Sequence, residues 1–503
     1  MDHSRTPILD ALDRFRERRE ISFSPPGHRQ GRGAGVRAVE VLGPQVFAAD
    51  IVANELDSRH HEGASLREAE RLMADAVNAE HAFFTTCGSS LSVKAATLAV
   101  AGPGEPLVVG RDIHKSVASG LVFSGVLPVW VEPSWDPQRH LAHPPSVEAY
   151  AAALDAEPAA RGVLVTSPTP YGTCADLRGI VELCHGRGLP VVVDEAWGAH
   201  LPFCDDLPSW AMDVGADVCV TSVHKMGGGL EQGSVFHLQG DLVDPAVLRS
   251  RADLLSTTSP SVLLYGAMDA WRQHMRTEGA VMLRDAVKRA HRVREEIEKI
   301  DGLHVNGRSD FCGPGRAFDM DPLQVVIEVQ ELGISGYQAA DWLEEYHRVG
   351  MHLADHRRVS AQLSFGDQDS EIDRLLVALR ELPGAIGGIE AEPAVDVPDP
   401  SELRLEQVLR PRDAYFAPFE TVPAAEAAGR ISTEILTPYP PGIPAVVPGE
   451  RLDKAVIDYL RTGVHAGMVV PDAADGKIET LRVVREGVEG MAGMAGMEGM
   501  AGD

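Results

Sequence analysis

Lysine and aspartate in one particular spacing give this chain its most informative chemistry. Thr221-Ser222-Val223-His224-Lys225 follows Val191-Val192-Val193-Asp194-Glu195-Ala196-Trp197-Gly198-Ala199-His200, with 31 residues from Asp194 to Lys225. A strand that delivers an Asp, followed one βα unit later by a strand that delivers Ser-x-His-Lys, is what pyridoxal phosphate (PLP) chemistry requires. The Asp keeps a pyridine nitrogen protonated and the Lys forms the Schiff base. Glycines directly after Lys225, in Met226-Gly227-Gly228-Gly229, let backbone approach a bound ligand closely. A carboxylate ending a run of three valines is costly unless it meets a cation or several donors, and a pyridinium N–H would satisfy Asp194.

Other residues complete a cofactor site. Gly88-Ser89-Ser90 stands where a loop enters a helix, so backbone N–H groups and two hydroxyls make a phosphate cradle there. The same triplet reads equally well as a helix cap. Ser222 and His224 would close the phosphate cup. His114, in Asp112-Ile113-His114-Lys115-Ser116, could stack on the cofactor ring and contact a substrate carboxylate. Thr169, after Ser167-Pro168, is expected to reach the ring hydroxyl, and Ala196 and His200 fall in the cofactor-facing segment after Asp194. No CxxC pair occurs among the six cysteines, so neither a zinc site nor a disulfide framework is expected. Reduced thiols and a cytoplasmic location are the expectation.

The elements that must position these residues follow from apolar patterning. Short β-branched runs at Leu107-Val108-Val109, Val126–Val131, Val163–Thr166, Val191–Asp194 and Val218–Thr221 alternate with helical spacing at Val147–Leu154, Leu177–His185 and Leu207–Val214. This rhythm predicts an α/β fold with a mostly parallel sheet and helices on both faces, its ligands at the carboxyl ends of the strands. An amphipathic helix is expected over 6–20, with Ile8, Leu9, Leu12 and Phe15 on one face. The loop Ser24–Gly31 follows it. Residues 278–300 read as a long charged helix, Gln324–Val329 as a strand and Gly336–Tyr346 as a helix.

At 503 residues, several domains are expected. The expected divisions are an N-terminal segment (1–50), a large PLP-binding domain (51–300), a small α/β domain (301–383), a linker (384–400), a C-terminal domain (401–475) and a disordered Met/Gly-rich tail (476–503). The net charge of −28 argues against nucleic-acid or anionic-membrane partners and leaves a solvated acidic surface or attraction of cationic substrates. The N-terminus has no apolar core of a signal peptide, and no run approaches membrane-spanning length.

Taken in order, these residues resemble the fold-type-I PLP enzymes of the aspartate aminotransferase superfamily. Within it, the chain from Ser24 to about Pro471 is similar to the ornithine/lysine/arginine decarboxylase family. The markers are Pro26-Gly27-His28, His60-His61-Glu62-Gly63, Gly88-Ser89-Ser90, His114-Lys115-Ser116, Asp194–His200, Ser222–Lys225, Gly429-Arg430-Ile431-Ser432 and Thr437-Pro438-Tyr439-Pro440-Pro441-Gly442-Ile443-Pro444. The His-Lys-Ser and Pro-Tyr-Pro-Pro-Gly-Ile-Pro segments are the most specific of these. The resemblance implies that Lys225 carries the cofactor, Asp194 pairs with the pyridine nitrogen, His114 stacks on the ring, and Ser89, Ser90, Ser222 and His224 take the phosphate.

It further implies the short form without a receiver-like N-terminal domain, a polyamine-forming decarboxylation of lysine, arginine or ornithine, and a homodimer or larger even assembly with sites at the interface. Lys225 or His114 would return a proton to the α-carbon. Carboxylates must match a distal ammonium or guanidinium. Glu55, Asp57, Glu231 and Glu434 are the candidates. Met226–Gln232, with Glu231, and His352, where an acidic residue is common, depart from the family pattern. The alternatives are an aminotransferase or other PLP lyase, which would use the same Lys and Asp, and a non-catalytic regulator.

Overall fold

In the computed structural model the described residues are 1–19, 21–57, 63–389, 395–398, 403–439 and 441–487. His60, His61, Glu62, Pro440, much of the expected linker and the Met/Gly repeats of the tail lie outside them. The chain forms two compact units, Met1–Val100 with Leu177–Asp285, and Ala101–Asp176 with Ala286–Asp503.

In the first unit, four strands run in the order His81–Thr85, Ser234–Leu238, Val218–Ser222, Val191–Asp194. Val191–Asp194 and Val218–Ser222 are parallel, in the register Val192 to Val218 and Asp194 to Val220. The other two pairings are antiparallel. Every residue of Val191–Asp194 and Val218–Ser222 is buried, as a continuous apolar run covered on both faces demands. Helix Gly88–Val100 packs on these strands. The N-terminal helix is Pro7–Arg18 and buries Ile8, Leu12 and Phe15 as its spacing predicts. Asp269, fully buried and paired with Arg272 at 2.7 Å, accepts the Ile8 N–H and so pins that helix.

In the second unit, Pro106–Gly110 lies in parallel between Leu127–Val131 and Val163–Thr166. A four-stranded antiparallel sheet follows, ordered His304–Asn306, Gln324–Glu328, Arg358–Gln362, Leu353–Ala354. Helices Gly336–His347 and Asp369–Ala385 pack together, the first of them against this sheet. The C-terminal part has its own core of Leu436, Val446, Leu452, Leu460 and Val483 around helix Lys454–His465.

Two expectations need correction. Leu207–Val214 is a chain of turns and not a helix. Pro208 interrupts it, and buried Trp210 ties it by donating to the Val77 carbonyl at 2.9 Å. The tail is not disordered from 476, because Thr480–Val484 is a strand paired antiparallel with Phe419–Pro423. Its Leu481, Val483 and Val484 are buried, so a short alternating strand closes the C-terminal core where composition alone suggested a disordered tail. The expected charged helix is Ala280–Ile297, preceded by a π-helical turn at Met275–Gly279.

Candidate active site

Asp194 ends its strand with a carboxylate only 4% exposed. Burial pushes its pKa up, while Lys225 and the Ala196 N–H, which donates at 3.3 Å, pull it down. Lys225 follows the adjacent parallel strand. Burial draws its ammonium down to about 8, against the opposing pull of Asp194. Its Nζ stands 3.9 Å from the centre of the Trp197 ring, so an aromatic face replaces water beside the amine. The result is a lysine that changes charge near neutrality, as a nucleophilic amine must.

The loop after Lys225 is tightly packed. A Cβ on Gly227 would meet the Val223 carbonyl oxygen at 2.5 Å and the Trp271 ring at 2.9 Å. No other residue fits there without displacing backbone. Gln232 closes the loop by accepting the Gly88 N–H at 2.9 Å, which ties the lysine loop to the first turn of helix Gly88–Val100.

At that helix start, Ser222 Oγ donates to Ser89 Oγ at 2.6 Å. Two hydroxyls held together beside a helix N-terminus are suited to hold an anion. Ser90, in contrast, is exposed. His224 meets the Gly233 carbonyl through Nδ1 at 3.4 Å, and burial lowers its pKa. Ala196 and His200 are buried in the segment after Asp194.

Sequence reasoning missed what lies behind Asp194. Glu195 is fully buried, accepts from Cys219 Sγ at 3.1 Å and from the Ala211 N–H at 3.2 Å, and burial raises its pKa strongly. It also missed Trp197, whose place between Asp194 and His200 was its only signal.

His114 and Thr169 belong to the second unit. His114 caps helix Lys115–Ser124, its Nδ1 meeting the Ser116 N–H at 3.2 Å and Oγ at 2.8 Å. Thr169 is buried and shares a hydrogen bond of 2.7 Å with Thr173 Oγ1.

The candidate substrate carboxylates differ in what already occupies them. Asp57 accepts from Ser65 N–H and Oγ at 3.0 and 2.6 Å and holds the start of helix Ala64–Ala76. Glu434 is occupied by the N–H groups of Ala474 and Arg482 at 2.8 and 2.7 Å. Glu55 accepts from Ser22 Oγ at 2.8 Å, and Glu231 is exposed. His352 sits beside the short strand Leu353–Ala354, its N–H donating to Ser360 at 2.8 Å.

A ring with a phosphate at one end and a basic nitrogen at the other fits this donor set. Asp194 suits the protonated nitrogen, the Ser89 and Ser222 hydroxyls suit the phosphate, and a desolvated Lys225 suits the carbonyl carbon. The fold is that of a fold-type-I PLP enzyme, and these residues fit its cofactor.

The major-domain model of the Orn/Lys/Arg decarboxylases matches residues 6–309, and their C-terminal domain matches residues 401–472. An arginine decarboxylase of Halalkalibacterium halodurans is 38% identical, over 96% of this chain and 98% of its own length. That of Bacillus subtilis is 34% identical, over 97% of this chain and 99% of its own. The solved constitutive lysine decarboxylase of Escherichia coli superposes with a TM-score of 0.77 at 21% identity, covering 96% of this chain and 82% of its own. The chain belongs to the Orn/Lys/Arg decarboxylase family, and it is a PLP-dependent decarboxylase of a basic amino acid.

Proposed function

We propose that the substrate is arginine, with Lys225 and Asp194 as the residues that carry the reaction. The pairing of a desolvated Lys225 with a buried Asp194 at the ends of adjacent parallel strands carries this reading of the site. Support for arginine is that end-to-end relatives at 34–38% identity are named arginine decarboxylases, whereas the constitutive lysine decarboxylase of Escherichia coli is 24% identical.

Bound PLP supplies an electron sink for the pair released when the bond from the α-carbon to the carboxylate breaks. Asp194 holds a proton at the ring nitrogen. Ser89, Ser90, Ser222 and His224 hold the phosphate, with Ala196, His200 and Thr169 lining the cofactor. His114 takes a face of the ring. Lys225 Nζ, which gains and loses its proton near neutrality, returns a proton to the α-carbon. Trp197 excludes water from that amine. Glu231 and Glu55 are the carboxylates we assign to the distal guanidinium, and His352 and the Met226–Gln232 loop to substrate choice.

The enzyme works in the cytoplasm as a homodimer in this reading. The six cysteines are free, and among the described residues no helix is long and apolar enough to cross a membrane. Ile21, Phe23, Val36, Val41 and Leu42 are exposed, and no residue of helix Val36–Leu42 is fully buried. A seven-residue helix with so little packing is marginal in water, so a second copy is its natural cover. Sedimentation would show a dimer, and a monomer with full activity would rule this out.

The direct test supplies purified protein and PLP with arginine, lysine and ornithine separately and identifies products. The amine of arginine and CO₂ are expected, with the other two slower by at least about tenfold. A keto acid formed with an acceptor would instead mark an aminotransferase.

A further inference from the structure

The two most distinctive segments of the sequence, His114-Lys115-Ser116 and the Gly442-Ile443-Pro444 end of the proline-rich motif, lie against each other within the second unit. The Lys115 N–H donates to the Gly442 carbonyl at 3.3 Å. Gly442 has φ +92, and a Cβ there would stand 3.3 Å from the Tyr439 ring and 3.4 Å from Cδ2 of His114. A backbone turn of the C-terminal domain therefore rests on the edge of the imidazole.

Arg111, three residues before His114, holds that turn. Its side chain is 10% exposed and follows the strand Pro106–Gly110. Nε donates to Glu450 Oε1 at 3.2 Å and Nη2 to Oε2 at 3.1 Å. Nη1 donates to the Pro444 carbonyl at 2.7 Å and Nη2 to that of Ala445 at 3.3 Å. Glu450, 1% exposed, also accepts the Val447 N–H at 2.7 Å. The guanidinium lies 5.2 Å from the Trp130 ring centre. Trp130 in turn donates to Gln407 at 3.1 Å, and Gln407 bonds the carbonyls of Leu409 and Pro448.

A buried ion pair adds little net stability over an apolar replacement. Its geometric content is large here, because a planar fork reads one carboxylate and two carbonyls at once. We propose that Arg111 and Glu450 are a positioning pair, through which the C-terminal domain seats the Gly442–Ala445 turn on His114 and fixes the imidazole for the reaction. This rests on the reading that His114 serves the cofactor.

The test uses the full-length PLP-loaded enzyme with Glu450→Gln, Arg111→Lys and His114→Ala, and Glu450→Gln combined with His114→Ala. Hydrogen exchange is read at residues 112–116 and 442–446, and kcat and KM are read separately. Glu450→Gln should speed exchange in both segments together and lower kcat by about 10- to 100-fold with little change in KM. Arg111→Lys should behave alike, because an ammonium cannot rebuild the fork, and it replaces Glu450→Gln should that variant not fold. In the His114→Ala background, Glu450→Gln should cost no further kcat. An equal further loss there, or loosened segments with unchanged kcat while His114→Ala itself is damaging, would overturn the proposal and leave the assignment of His114 standing. A silent His114→Ala would reject that assignment and the catalytic role of the pair together, while coupled exchange would still report the docking.

Discussion

Lys225 and Asp194 leave water together, and each changes the other's proton. Burial draws the lysine down to about 8 and pushes the aspartate up, and the attraction between them opposes both movements. Such a pair is poised for a positively charged ring nitrogen near Asp194 and an uncharged amine at Lys225. Lys225→Ala should abolish turnover, a loss of about 10³-fold or more, without unfolding the protein. Asp194→Asn should lower kcat by about 10²- to 10⁴-fold. Circular dichroism beside steady-state assays checks both, and appreciable turnover in Lys225→Ala would contradict the role.

The hydroxyl pair of Ser222 and Ser89 makes a second prediction. A hydrogen bond to a charged group is worth about 1.5–3 kcal/mol, so Ser222→Ala should weaken PLP binding by about 10- to 100-fold. Ser90 is exposed, and Ser90→Ala should do less. Equilibrium dialysis with PLP ranks the two, and equal affinities would place the phosphate elsewhere.

Acid should destabilise the fold through buried imidazoles. Burial lowers His237 to about 3 and lowers His143 and His356 to about 4. Their folded values lie below the unfolded value near 6.5, so the unfolded chain binds more protons as pH falls. Stability is therefore retained above about 6.5 and lost as pH drops toward 4, by up to about 1.4 kcal/mol per pH unit for each imidazole within its window. His237→Leu, on a strand buried throughout, should make this slope shallower in urea unfolding measured at several pH values.

Asp112 carries the opposite sign. It is 3% exposed, neither carboxylate oxygen has a side-chain partner, and burial raises its pKa to about 7. Fully buried Tyr150 lies nearby, both side chains reaching the space beside Gly110. A folded pKa above the unfolded one means that stability is full below about 4 and falls as pH rises toward 7. Asp112→Asn should match the native chain near pH 4 and exceed it above pH 7 by on the order of 2 kcal/mol. An unchanged difference across that range would show that Asp112 is ionised in the fold.

Much of this was legible in the sequence because the decisive residues sit at ends of uniformly apolar strands. Val191–Asp194 and Val218–Thr221 have few other ways to fold, and their last residues are fixed by the strands themselves. Where burial is created by partners distant in the chain, the signal was absent. Strands His81–Thr85 and Ser234–Leu238 are short and mixed, and acquire their burial from each other and from Val218–Ser222. Thr480–Val484 alternates, but its partner lies some sixty residues away. Leu207–Val214 shows helical spacing because its apolar side chains are all drawn inward, yet turns accomplish this as well as a helix does. Glu434 and Asp57 read as substrate carboxylates by charge, whereas their oxygens are taken by backbone N–H groups and, for Asp57, also by the Ser65 hydroxyl, a local use that residue type does not reveal. Arg111 stood beside the His-Lys-Ser segment, but its partner Glu450 is 339 residues further on.

In the proposed function, Lys225 is the residue that holds PLP. Borohydride reduction of the PLP-loaded protein, followed by proteolysis and mass spectrometry, measures this without reference to any substrate. Reduction should remove an absorbance band at ~420 nm and leave a pyridoxyl mass on the peptide bearing Lys225. A label on another lysine, or no label after saturation with PLP, would contradict it.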